Sequence, residues 1–347
     1  MDPLRIPQLT FTRFIAALAI VIYHYGRESF FFKNEKISFI FEQADLGVSY
    51  FFILSGFVMM VAYNKLERVD FKKYLANRLI RIYPAYFLAG FLTLAASMFT
   101  SYLTSNFVLY NTMLQTWFPG KALSINYPGW SLSIELFFYV SFPFLFNKVY
   151  RQIKIKRIAV FILGIWIATQ IFANVIDEDI MIGRLNFQDL KYHPLLHFNE
   201  FLAGNLAGLY FMRQERLSKN YFYPILALLI TLVLTFKFAQ KLELHHGLLA
   251  IIFVPLIILM SLSNDRLTLL FRSKPFEFLG EISFGIYIFQ APVWLMLSNL
   301  KLEGYFGLHE KTDGNLCFFI RLIILIGISA ISYVLFEKPI RERLRRS

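Results

Sequence analysis

Arg13 and His24 stand with ten residues between them in Thr10 to Tyr25 (TFTRFIAALAIVIYHY), a run otherwise apolar enough for a bilayer. An ionisable residue inside a membrane is costly and normally faces a protein interior or a watery cavity, so its default reading is functional. At the helical rise the two side chains lie ~16 Å apart along the axis, about half the hydrocarbon thickness. Arg13 then belongs to one membrane face and His24 to the other half, a spread that suits chemistry joining two compartments.

A second costly residue is Glu135, in YPGWSLSIELFFY (127–139), where Trp130, Ser131 and Ser133 precede it. It falls about one and a half turns into a helix from its outer end. If this carboxylate meets His24, it fixes the ring tautomer and raises its basicity, the orienter-and-base arrangement of acyl transfer. A structural interhelical hydrogen bond to a serine or a backbone group is the competing reading. Glu200, in HFNEFLAGNLAG (197–208), is a third such carboxylate, lining the same cavity or pairing with another helix.

Arg78 and Arg81, in RLIRIYPAY (78–86), are three apart and share a face if a helix begins there. Two guanidinium forks side by side make a phosphate clamp. Topology-setting arginines against lipid headgroups are the alternative, with Pro84 and Tyr86 following as possible shapers of a site. Ser55, in LGVSYFFILSGF (46–57), lies among small and aromatic residues. Helix packing is favoured there over a serine nucleophile, since no G-x-S-x-G elbow is present. His193, His245 and His246 fall in loops or at span ends and need no function. The H-x-x-x-H at 193–197 lacks a third ligand, so no metal site is expected. A lone Cys317 excludes a disulfide framework.

These residues need a membrane scaffold to position them. The 347 residues are 57% hydrophobic and 18% aromatic, with a mean hydropathy of +0.54. No soluble domain carries that composition with a wettable surface. Ten apolar stretches, near 9–25, 46–63, 83–103, 129–147, 158–176, 195–212, 222–239, 246–263, 280–299 and 316–336, each approach spanning length. The expected fold is an all-α integral membrane protein of about ten transmembrane helices. Residues 1–347 read as one transmembrane domain with no appended soluble domain. The net charge of +12 gathers in alternate loops, for example Lys65 to Arg81, Lys148 to Arg157, and the tail from Lys338 to Arg346. The intervening loops hold Glu28, Glu35, Glu42, Asp177, Glu178 and Asp179. The positive-inside rule then places both termini in the cytoplasm. The charge is topology, with membrane lipid as partner and no nucleic acid. The loops 26–45, 104–128 and 177–194 are long enough for re-entrant or lid segments. Pro84, Pro128, Pro194 and Pro224 mark span starts, while Pro143, Pro255 and Pro292 fall inside spans.

In order along the chain these motifs resemble the acyltransferase-3 family of integral-membrane acyltransferases. Arg13 and His24 match its basic residue, ten positions, then histidine, and VSYFFILSGF matches its second-span signature. RLIRIYPAY is similar to its R-x-x-R-I-x-P-x-Y motif, and WSLSIELFFY to its W-S-L-x-x-E segment. LGEISFGIYIF (279–289) and SYVLFEKPIR (332–341) resemble its ninth span and closing E-x-P-I-R. Gln290 stands where many relatives have histidine. The resemblance implies transfer of an acyl group, acetyl before others, from cytoplasmic acyl-CoA to a hydroxyl of an envelope or exported polysaccharide or its lipid-linked precursor. It implies a cell inner (plasma) membrane location, no bound cofactor, and partner proteins of polysaccharide biosynthesis. In that scheme His24 and Glu135 are catalytic. Arg13, Arg78 and Arg81 bind acyl-CoA, and Tyr86, Trp130, Ser131, Ser55 and Glu200 shape or support the cavity. A proton-coupled transporter or flippase is the rival class, although the paired halves common in such folds are not detectable.

Overall fold

The structure is a computed structural model that describes residues 6–97, 103–175, 186–213, 219–239 and 241–346. Asp177, Glu178 and Asp179 of the sequence reading lie outside the described residues. Each apolar stretch carries a helix. In chain order these are α1 (Pro7–Tyr25), α2 (Gly47–Tyr63), α3 (Phe71–Ala96), α4 (Trp130–Phe144) and α5 (Ile155–Val175). The remainder are α6 (Pro194–Phe211), α7 (Phe222–Phe238), α8 (Ala250–Leu262), α9 (Lys274–Met296) and α10 (Glu310–Ser332). No strand occurs among the described residues.

Six of these, α2, α3, α4, α5, α9 and α10 with their flanking turns, are long and apolar enough to cross a membrane, against the ten expected. The shortfall has a physical cause. α7 and α8 have 17 and 13 residues, short of the ~20 that a straight span needs. α1 carries Gln8, Arg13 and His24, and α6 carries His197, Asn199, Glu200 and Asn205, so polar groups dilute the hydropathy of both.

Small residues set the tightest packing. A Cβ on Gly56 of α2 would stand 2.2 Å from the Phe201 carbonyl of α6, and one on Gly204 of α6 would stand 2.0 Å from the Ile53 carbonyl of α2. The α2 and α6 backbones therefore touch, as small residues allow in membrane bundles. α1 meets α9 the same way, with Gly280 against the Thr10 carbonyl.

α3 corrects one expectation. The side chain of Asp70 accepts from the Lys73 amide and caps the helix at Phe71. Arg78 and Arg81 thus sit two to three turns inside α3, and Pro84 lies within the helix, not at its start. The charged turns simply continue the helix, which hydropathy alone does not register.

The 104–128 loop folds back into the bundle. Tyr110 stacks on Tyr86 at 4.2 Å, and each hydroxyl donates to the other's backbone carbonyl, at 3.1 and 2.7 Å. Gln115 donates to the Tyr86 hydroxyl and the Gly129 carbonyl, and Asn126 donates to the Ile288 carbonyl. These bonds tie the segment, which begins with a short helix (Leu103–Asn111), to α3 and α9.

Candidate functional site

Two polar clusters lie along α1. The first surrounds His24 at the C-terminal end of α1, where the segments leading into α2, α4, α6 and α8 converge. They enclose a cavity of ≈ 90 Å³. α1 contributes Tyr23 and His24, the approach to α2 contributes Asp45, and α2 itself contributes Ser49. Trp130 opens α4, Lys191 and His197 flank the start of α6, His245 precedes α8, and α9 supplies Tyr287.

The imidazoles here differ in what their nitrogens can do. His197 Nδ1 lies 2.8 Å from Glu200 Oε2, and its Nε2 lies 2.9 Å from the Lys191 carbonyl. With an acceptor at each nitrogen the ring is pinned and both nitrogens are engaged. His245 Nε2 faces Asp45 Oδ2 at 3.4 Å. Burial, and after it the Lys191 ammonium, hold the His245 pKa well below its ordinary value. His24 makes no hydrogen bond among the described residues. Its exposed ring lies edge-on to Tyr23 and Tyr127, at 4.9 and 4.8 Å between centroids. It alone among the histidines of this cavity is exposed with unengaged nitrogens.

The expected bond between His24 and Glu135 is not formed. Glu135 Oε1 accepts from Tyr139 at 2.7 Å and from Ser55 at 3.0 Å. Trp130, not Glu135, reaches the His24 cavity from α4. Five residues of helical rise put Glu135 ~7.5 Å deeper along α4, at the level of the second cluster.

That second cluster is cationic. Arg81 lies within electrostatic reach of Arg13, Tyr139, Arg78 and Glu135. The Arg78 guanidinium sits against three tyrosine rings, at 5.4 Å from Tyr63, 5.4 Å from Tyr74 and 5.9 Å from Tyr139. Such a box of aromatic faces fixes a cation without neutralising it. None of the three arginines forms an ion pair among the described residues, and the Arg78 Nε is buried without a hydrogen-bond partner. An apolar groove of ≈ 430 Å³ runs beside this cluster, lined by Leu79, Tyr83, Pro84 and Leu136 among others.

The remaining expected site residues take supporting places. Ser131 Oγ is 2.9 Å from the Tyr287 hydroxyl. Tyr86 is fully buried and holds the folded-back loop instead of facing the arginines. Gln290 Oε1 accepts from the Tyr127 hydroxyl at 3.3 Å, beside His24. His245, set aside from sequence, faces the cavity, as do Asp45 and Lys191. Their only signal was polar side chains within a few residues of helix starts.

Among the described residues, a multi-helix bundle thus sets a histidine without a hydrogen bond at one end of α1 and arginines without ion pairs towards the other. Residues 6–337 match the acyltransferase domain family, so the chain belongs to the acyltransferase-3 family. Among similar proteins, Acyltransferase MdmB of Streptomyces mycarofaciens is 31% identical over 50% of this chain and 45% of its own length. O-acetyltransferase OatA of Staphylococcus aureus is 24% identical over 99% of this chain and 58% of its own. The chain thus spans about half the length of these two relatives. No solved structure matches it.

Proposed function

We propose that the protein is a membrane O-acyltransferase that moves an acyl group, most simply acetyl, from cytoplasmic acyl-CoA to a hydroxyl of an envelope or exported polysaccharide or its lipid-linked precursor. Ten membrane passages, with both termini cytoplasmic and the bundle in the plasma membrane, belong to the same reading. It is carried by one observation: among the described residues, three guanidiniums without ion pairs gather towards one end of α1, while a histidine with unengaged nitrogens stands at the other.

Arg13, Arg78 and Arg81 receive the donor's phosphates, each as a planar fork matched to phosphate oxygens. The neighbouring apolar groove suits the uncharged part of a donor. At the far cluster His24 takes the proton of the acceptor hydroxyl as its oxygen attacks the thioester carbonyl. The C–S bond then breaks, CoA leaves as thiolate, and the proton returns to solvent or to sulfur. Glu135 serves the donor end in this scheme, holding Tyr139 and Ser55 beside the arginines.

The test is binding of acetyl-CoA, CoA and longer acyl-CoAs to purified protein in nanodiscs, with Arg78→Ala and Arg81→Ala as controls. Saturable binding that the arginine variants lose is expected. A folded preparation that binds none of them overturns the donor assignment and turns attention to proton-coupled flux without thioester consumption.

A further inference from the structure

The wall of the His24 cavity contains a charge that the proposed chemistry does not use. Lys191, two residues before the His193 cap of α6, lines the cavity with its side chain half-buried. Its ammonium forms no hydrogen bond, ion pair or ring contact among the described residues, while its backbone carbonyl lies 2.9 Å from His197 Nε2. The cavity's carboxylate, Asp45, is within electrostatic reach of Lys191 but faces His245 Nε2 at 3.4 Å. His197 is tied to Glu200. Outside the cavity the Arg27 guanidinium lies over the Tyr23 ring at 4.8 Å and acts electrostatically on His24. Among the charged groups here, Lys191 thus faces the cavity without an ion pair among the described residues, and Asp45 acts on it only across a distance. Trp130 and Tyr192, with ring centroids 4.9 Å apart, supply aromatic surface beside it.

Holding an ammonium half out of water without a contact ion pair is less favourable than holding it against an anion. A compact point charge with three rotatable donors accepts a carboxylate or phosphate oxygen from several directions. Aromatic faces pack on the C–H face of a pyranose. Resting on the acyltransferase reading, we propose that Lys191 is the contact for an anionic group on the acceptor, so that the acceptor is an acidic sugar whose carboxylate or phosphate docks at Lys191 while a neighbouring hydroxyl meets His24. Lys191 is here a specificity-determining residue and takes no part in proton transfer.

The experiment uses full-length protein in nanodiscs and calorimetric titration with three probes. These are a short glucuronate-bearing oligosaccharide, the same oligosaccharide with its carboxyls reduced, and a sugar phosphate of similar size. Wild type is expected to bind at least one acidic probe about tenfold or more tighter than the neutral one, about 1.4 kcal/mol, and to lose the preference at high salt. Whichever acidic probe wins identifies carboxylate or phosphate as the source. Lys191→Met should abolish the preference, and Asp45→Asn with Lys191→Met should remain without it. No binding of either acidic probe, equal binding of the neutral one, or a preference that survives in Lys191→Met overturns the proposal. So does recovery of the preference in the double variant, which would make Lys191 a mere balance for Asp45. Acetyl-CoA is titrated against the same samples. Donor binding that stays intact while acidic probes fail sinks only the Lys191 assignment, and the reverse result sinks only the donor assignment.

Discussion

Glu135 and Tyr139 are joined one turn apart on α4, the tyrosine hydroxyl donating to the carboxylate across 2.7 Å. The bond turns Glu135 towards the arginine level of the bundle and away from His24. Glu135→Gln keeps the shape but removes the charge and points an amide against two hydroxyl donors. Hydrogen bonds to a charged group are worth about 1.5–3 kcal/mol, so a lowered melting temperature and altered acetyl-CoA affinity are expected. The pH dependence of turnover should keep its acidic limb where it was. A displaced limb would mean that Glu135 acts on His24 after all.

His24→Ala should leave acetyl-CoA binding and the thermal melt close to wild type, because the ring makes no hydrogen bond among the described residues and is exposed. Turnover should fall by ~10²–10⁴-fold, the usual contribution of a positioned base. Acetyl transfer to the acceptor, compared with donor affinity on the same preparation, separates the two effects. Equal loss of both would assign His24 to donor binding or folding.

The difference between these residues shows what the sequence could tell. Depth along a helix follows from rise per residue, so the separation of Arg13 from His24 and the inward position of Glu135 were readable. Which neighbour a side chain meets depends on helix rotation and on packing between segments far apart in the chain. Glu135 accordingly meets Ser55, eighty residues away, which is the interhelical serine bond that the sequence offers as the alternative to a pairing with His24. The carboxylate facing an imidazole across this cavity is Asp45, opposite His245. Both come from connections, which hydropathy treats as linkers. Arg78 and Arg81 were placed on one face by their spacing, but the tyrosine box around Arg78 draws on three helices and has no sequence period.

Arg78→Lys tests that box. An ammonium keeps the charge and loses both the planar fork and the flat contact with Tyr63, Tyr74 and Tyr139. Binding of acetyl-CoA and of free CoA should weaken together, by about tenfold or more, since losing one charge-assisted hydrogen bond of ~1.5 kcal/mol already accounts for that factor. Calorimetry with both ligands checks it. A loss confined to acetyl-CoA would place Arg78 at the thioester rather than at the phosphates.

The α2–α6 contact should be the most substitution-sensitive part of the scaffold. Alanine at Gly204 would bring a methyl to 2.0 Å from the Ile53 carbonyl, and alanine at Gly56 to 2.2 Å from that of Phe201. The obstacle in each case is backbone, which no rotamer change can clear, so the helices must separate. Overpacking of a tight interior typically costs about 1–3 kcal/mol, and here it also disturbs the turn that carries Glu200 and His197. Gly164→Ala on α5 meets nothing within 4 Å and serves as the matched control, since alanine is the better helix former. Thermal melts in nanodiscs should show Gly204→Ala and Gly56→Ala well below wild type and Gly164→Ala at or above it. If all three melt alike, the close approach of α2 and α6 does not hold the bundle together, and the cavity they frame must be secured from α1 and α9 instead.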